Sequence, residues 1–318
     1  MGWPPDGFYR FQRLRLHGLD TYTQDRSLKR KDNEIRMISR IDKLPAVLTS
    51  YAYRSEYIRE IDGMIPTVRE HHPDWPIVAG RGPMPDFDMP TLEVESPSGK
   101  CHWSLPVPLN LDGCREASEK DWAKIALMKP WWIGEVWRNF RSFAQLPPKR
   151  LVWLDADARL NGPLDIELDP HAEVIAAPWW THPKTHEHHL CAGLLVFQGR
   201  DGGVVDSIIE QFAQQCTGYI QNLPPDPPSD HPDLTREDDQ KVLTGLIKRA
   251  SNCDLVSLKL DYHKYCGIPD YKSGVPRPGA LIDQWMMNEK MRLPQDRDRN
   301  WPPPEEARRR HTQSNGSV

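Results

Sequence analysis

The stretch LVWLDADARL, residues 151–160, runs a greasy segment into two carboxylates one residue apart, Asp155 and Asp157. Carboxylates are poor strand formers and poor core residues, so two of them at the end of a buried strand concentrate negative charge there for a purpose. Side chains two apart on a strand share a face. Two hard oxygen ligands on one side of a strand end suit magnesium or manganese, ions that are commonly shared with a substrate's phosphates. Without such an ion, a diphosphate beside the pair would meet repulsion of about 4 kcal/mol per charge pair at 4 Å and an effective dielectric of 20. The alternative on spacing alone is that Asp157 caps a turn and Asp155 bonds nearby backbone.

A carboxylate pair needs a frame to present it, and the flanking pattern supplies one. PAVLTSYAY (45–53) reads as a first strand. It leads into a helix, SEYIREIDGMIPTVREHH, whose apolar positions Tyr57, Ile58, Ile61, Ile65 and Val68 fall near helical spacing. Pro66 is expected to interrupt it. PIVAG is a second short strand, and a proline-rich excursion follows to about residue 112. In EKDWAKIALMKPWWIGEVWRNFRSF, Ile125, Met128, Trp132, Ile133, Val136, Trp137 and Phe140 form an apolar stripe. Pro130 should split this segment into two helices.

RLVWLD, AEVIAAPWW and HLCAGLLVF read as buried strands, and DLVSLKLDY as a late one. GGVVDSIIEQFAQQC and TREDDQKVLTGLIKRA read as helices, the second with Thr235 as N-cap and acidic residues in its first turn. Strands alternating with helices predict an α/β fold on a mostly parallel central sheet. In such sheets ligands bind beyond the carboxyl ends of the strands, where Asp155 and Asp157 sit.

The chain has 318 residues, 38% hydrophobic and 27% charged, which suits a globular protein of one large domain or two modest ones. Its 31 prolines, about twice the usual ~5% share, predict long stiffened loops. A net charge of −4 argues against a protein whose main work is coating nucleic acid. No apolar run is long enough for a membrane span, and the first residues lack the apolar core of a signal peptide. Six cysteines without a CxxC pair fit reduced thiols, so a cytoplasmic location is expected.

The arrangement WLDADA after a helix carrying MKPWWI resembles the nucleotide-diphospho-sugar glycosyltransferases of the GT-A fold. VLTSYAYRSEYI looks like that family's first strand and turn, CAGLLVF like its NxG-hydrophobic strand, and EDDQKVL like its DQ helix start. The DQ element points toward the retaining family 8 branch. The resemblance implies a GT-A glycosyltransferase domain over 44–290, and composition sets off a polar, charge-rich N-terminal extension (1–43) and an Arg-, Pro- and Ser-rich flexible tail (291–318). The resemblance also implies a metal, Mn2+ or Mg2+, held by Asp155 and Asp157 with the sugar donor's diphosphate, the donor contacting Asp155 and Ala156. Thr49, Ser50 and Tyr51 would line the base or ribose pocket. Lys124 or Lys129 would approach the sugar or phosphate. Asp239 and Gln240 would lie beside the donor sugar as catalytic candidates, and Gly193 would border the substrate.

The family's Asn before Ala/Ser-Gly is Cys191 here, which puts that acceptor-side hydrogen bond in doubt. Its late strand usually supplies a third metal ligand. The nearest match is Asp283 in GALIDQW, with His263 in LDYHKYC as the other candidate. Partners implied are a nucleotide-sugar donor and a hydroxyl acceptor on a saccharide, a protein or a phage-type modified DNA base. A retaining enzyme would use Asp239 as nucleophile or attack from the leaving-group side. An inverting one could use Glu237 or Asp238 as base.

Rival readings follow from other residues. Nucleotidyl transfer uses the same paired carboxylates. His182, His186, His188, His189 and Cys191 are dense enough to hold zinc in a non-catalytic module, although a polar surface loop gives the same density. KRK (29–31) and RRRH (308–311) read as solvated surface, or as guides for a polyanion such as DNA. Trp131, Trp132 and Trp137 fit the core. Trp179 and Trp180 end a strand on the ligand side and could stack on a sugar or nucleobase.

Overall fold

The structure, a computed structural model, describes residues 38–52, 55–81, 122–144, 148–181, 188–222, 239–250, 253–267 and 278–284. All of them lie in one compact unit, Ile38–Val318. In chain order the elements begin with β1 (Ser39–Arg40), a 3-10 turn (Ile41–Lys43), β2 (Val47–Ala52), α1 (Ser55–His71) and β3 (Ile77–Arg81). Next come α2 (Trp122–Arg138), α3 (Phe140–Phe143), β4 (Lys149–Leu154), β5 (Ala158–Leu160), β6 (Glu167–Leu168) and β7 (Glu173–Thr181). Then follow β8 (His188–Leu190), β9 (Leu194–Gly199), α4 (Val204–Asn222), α5 (Asp239–Arg249), β10 (Leu255–Asp261), α6 (Tyr262–Tyr265) and β11 (Ile282–Gln284).

Seven strands make the central sheet, in the order β10-β7-β9-β4-β2-β3 with β8 added on β7. β10, β7, β4, β2 and β3 run one way, while β9 and β8 run against them. The expected α/β architecture with a mostly parallel sheet is therefore present. Strand alternation separates two cores. Val47, Tyr51, Leu151 and Trp153 face α2, α4 and α5 on one side. Leu48, Ala52, Val152 and Leu154 face α1 and the β5–β6 region on the other. Burying β2 and β4 on both faces explains why they read as continuous apolar runs.

Two expectations fail for the same reason. α1 continues through Pro66 and α2 through Pro130. A proline inside a helix costs ~3 kcal/mol or more. Each buried apolar face outweighs that: Ile61, Met64, Ile65 and Val68 on α1, and Leu127, Met128, Trp131, Trp132, Ile133, Val136 and Trp137 on α2. HLCAGLLVF also divides. Its first residues pair with β7 as β8, residues 191–193 turn, and the rest lies between β7 and β4 as β9. Thr235, in the expected N-terminus of α5, lies outside the described residues, as do the segments 29–31 and 308–311.

Residues 38–43, placed in the N-terminal extension by the sequence, carry β1 and the 3-10 turn. β1 pairs with β6, and Ile41 is wholly buried.

Candidate active site

β4 ends at Leu154, so Asp155 and Asp157 sit in the turn between β4 and β5 rather than on a continuing strand. Strand alternation therefore does not bring them together. Three local devices do. The Asp155 amide donates to Gly193 O at 2.9 Å, which clamps the turn to the start of β9. Trp153 Nε1 donates to Asp155 Oδ1 at 2.8 Å. The Gln284 carboxamide then donates to both carboxylates, to Asp157 Oδ1 at 2.6 Å and to Asp155 Oδ2 at 3.3 Å.

Gln284 arrives from β11, which pairs antiparallel with β5 so that Gln284 lies opposite Ala158. The third position near the carboxylates is thus one residue beyond the expected Asp283. Asp283 is wholly buried at register with Arg159, because neighbours on a strand point to opposite faces. His263 is exposed on α6, with its amide donating to Asp261 Oδ1 and its ring edge-on to Tyr262.

On the other side of Asp155, Lys129 Nζ lies 3.0 Å from Asp155 Oδ1 and 3.1 Å from Asp239 Oδ2. It also donates to Ala192 O at 3.2 Å and stands 5.4 Å from the centre of the Trp153 ring. Burial works to lower the Lys129 pKa, but Asp155 and Asp239 outweigh it and hold the ammonium above its ordinary range. Lys129 is thereby a fixed cation joining the first carboxylate to the start of α5. Two carboxylates, Asp155 and Asp239, hold the one ammonium, and a third, Asp157, joins Asp155 through Gln284, so acidic groups outnumber the cation in this cluster and favour a further cation.

The other expected residues divide. Gly193 is positioned as a close approach: a side chain there would place its Cβ 2.7 Å from Gln284 Oε1. Ala156 is buried in the turn, where its carbonyl accepts from Arg159. Gln240 follows Asp239 on α5 and is half-buried. Thr49 is a correction. Its hydroxyl donates to Val78 O at 2.8 Å and accepts from Trp132 Nε1 at 2.8 Å at zero exposure, so it ties β2 to β3 and α2 rather than lining a pocket. Ser50 is likewise buried, and Tyr51 packs 5.7 Å from Trp132 between ring centres.

Trp179 is half-buried under Lys259 Nζ, 5.0 Å from its ring centre, and Trp180 stacks on His189 at 4.9 Å. The side chain of Lys124, and Glu237, Asp238, His182 and His186, lie outside the described residues. His188 meets Thr181 Oγ1 at 3.1 Å. Among the described residues no group of three or more His, Cys, Asp or Glu is arranged to hold a metal ion.

An amide oxygen can also ligate such an ion, and the cluster here includes one. Gln284 Oε1 is buried with no hydrogen-bond partner among the described residues, an orphaned oxygen beside two carboxylates. Turning the carboxamide end for end would aim that oxygen at the pair. Carboxylates with an amide oxygen are the hard ligands that magnesium and manganese take, so the residues fit either ion. Gln284 was missed in the sequence because it is 127 residues from Asp157; the register of β11 on β5 is what joins them.

No model of a known protein family matches this sequence, and no curated protein matches it. Among solved structures, the glycosyltransferase GlyE of Streptococcus pneumoniae TIGR4 is similar at 14% identity and TM-score 0.43, over 85% of this chain and 64% of that chain. The likeness thus spans less than two thirds of GlyE. The galactosyltransferase LgtC, in complex with donor and acceptor sugar analogs, is similar at 13% identity and TM-score 0.45, over 85% of this chain and 95% of that chain. Identities and TM-scores this low assign no activity to this chain. Among the described residues, no helix is long and apolar enough to cross a membrane.

Proposed function

We propose that this protein is a metal-dependent glycosyltransferase that moves a sugar from a nucleoside-diphosphate donor to a hydroxyl acceptor. The observation that carries the reading is the meeting of Lys129, Asp155, Asp157, Asp239 and Gln284 at one end of the sheet, from segments far apart in sequence. Four of those five, Lys129, Asp155, Asp157 and Asp239, are residues that the family resemblance singles out. A structural salt bridge needs no such company of carboxylates.

Asp155, Asp157 and the Gln284 amide oxygen would hold Mn2+ or Mg2+. When bound, the ion supplies charge neutralisation for the diphosphate that departs from the sugar. Lys129 positions Asp155 and Asp239 and keeps both next to a fixed positive charge. Asp239, almost wholly buried beside Lys129, would face the sugar's anomeric carbon, as nucleophile or as stabiliser of positive charge there in a retaining reaction. Trp179 and Trp180, at the same end of the sheet as Asp155, offer aromatic faces for the sugar or the acceptor.

The test is a panel of nucleotide sugars incubated with the protein and manganese, with a chelated control, and analysed for released nucleotide. Release of a nucleoside diphosphate that stops on chelation supports the reading. Release of pyrophosphate would establish nucleotidyl transfer instead, and zinc retention without nucleotide binding would establish a non-catalytic module.

A further inference from the structure

Cys191 Sγ and Cys266 Sγ lie 3.0 Å apart, from positions 75 residues apart in the chain, and both are free thiols. Cys191 is half-buried, whereas Cys266 is buried. Both are held in place by their surroundings. The Cys191 amide donates to Pro178 O at 2.8 Å. Cys266 follows Tyr265, whose hydroxyl donates to Asp165, and its own amide donates to Tyr262 O at 2.8 Å. A disulfide needs ~2.0 Å between sulfurs, so an approach of about 1 Å closes the bond.

We propose that Cys191 and Cys266 form a reversible disulfide, a redox modification site beside the carboxylate cluster. The reading does not depend on the proposed sugar transfer. The co-reactant is a small-molecule disulfide such as glutathione disulfide. Cys191, the more exposed thiol, attacks one of its sulfurs as a thiolate, and one glutathione leaves and takes up the proton. Cys266 then attacks the Cys191 sulfur of the mixed disulfide, and the second glutathione leaves with the second proton. Two protein thiols are oxidised by two electrons in all, and one disulfide is reduced to two thiols.

The bond joins two backbone segments that aim the site. Gly193, two residues after Cys191, accepts the Asp155 amide. Gly267, the residue after Cys266, donates to Ile282 O at 2.8 Å and accepts from the Gln284 amide at 2.7 Å. Closing the link ties the Asp155 side of the cluster covalently to the Gln284 side. It also closes a long loop, the case in which a cross-link restricts the unfolded chain most.

The experiment treats the folded full-length chain with glutathione disulfide, alkylates remaining thiols, and maps peptides without reduction. The expected result is a peptide joining Cys191 to Cys266, reversed by dithiothreitol, with a melting temperature several degrees above the reduced protein. C191S should give neither the linked peptide nor the rise. C266A, which removes the buried partner, should leave glutathione attached at Cys191. The proposal is overturned if wild type keeps glutathione on Cys191 without the internal link. It is also overturned if the link forms only in denaturant, or if C191S shows the same stabilisation on oxidation.

Discussion

Lys129 holds two carboxylates that would otherwise repel each other in a poorly solvated place. Replacing it by methionine leaves Asp155 and Asp239 without their shared partner, and removing one member of a buried ion pair costs about 3–5 kcal/mol. Denaturant unfolding of Lys129→Met should register that loss. Adding Asp239→Asn should restore part of it, since a shared partner makes the two changes non-additive. Gln284→Ala should leave the fold intact but weaken Mn2+ binding by at least about 10-fold, measured by calorimetry, since even residues that only support ligands are typically worth that much. At this scale the sequence was informative where chemistry is local. Asp155 and Asp157 announce themselves by adjacency, and Lys129 and Asp239 by family resemblance. Gln284 carries no local signal, and its neighbour Asp283, a carboxylate, looks more like a ligand than an amide does.

The elements hold these side chains at their distances through a few close approaches. A Cβ at Gly193 would need to displace Gln284 Oε1 from 2.7 Å. Gly193→Ala should therefore lower Mn2+ affinity as Gln284→Ala does, with unchanged secondary structure by circular dichroism and a stability loss of about 1–3 kcal/mol from overpacking. Thr49→Val should cost about 1–3 kcal/mol in denaturant unfolding, because Trp132 Nε1 loses its acceptor at a fully buried position. The strands were legible from their apolar runs, and the helices from their stripes. The uninterrupted passage through Pro66 and Pro130 was not, because it depends on what each helix packs against. Nor was the break between β8 and β9, which is decided by the Asp155–Gly193 hydrogen bond across the sheet.

For the molecule as a whole, stability should fall in acid through one buried histidine. His72 accepts the Leu164 amide at Nε2 and stacks on Trp75 at 3.9 Å. Burial lowers its pKa to about 4, against a partial opposing pull from Asp42. Between about pH 4 and 6.5 the unfolded chain binds a proton that the folded chain does not, so stability rises with pH across that window. The gain from this group is up to roughly 3 kcal/mol and is lost as the pH falls back toward 4. Thermal unfolding at stepped pH should show the slope in wild type, and His72→Gln, which keeps an acceptor but does not titrate, should flatten it. The α/β class was readable from the alternation of elements, whereas the joining of four distant segments at one end of the sheet required the tertiary structure.

On the proposed reading, Asp155 and Asp157 hold a divalent cation that in turn holds a nucleoside diphosphate. Calorimetric titration of the protein with uridine and guanosine diphosphates, with and without Mn2+, tests it most directly. Wild type should bind one of them measurably only when Mn2+ is present, and Asp157→Ala, though folded, should lose the Mn2+-dependent binding. Equal affinity with and without the ion, or Mn2+-dependent binding that survives Asp157→Ala unchanged, would contradict it.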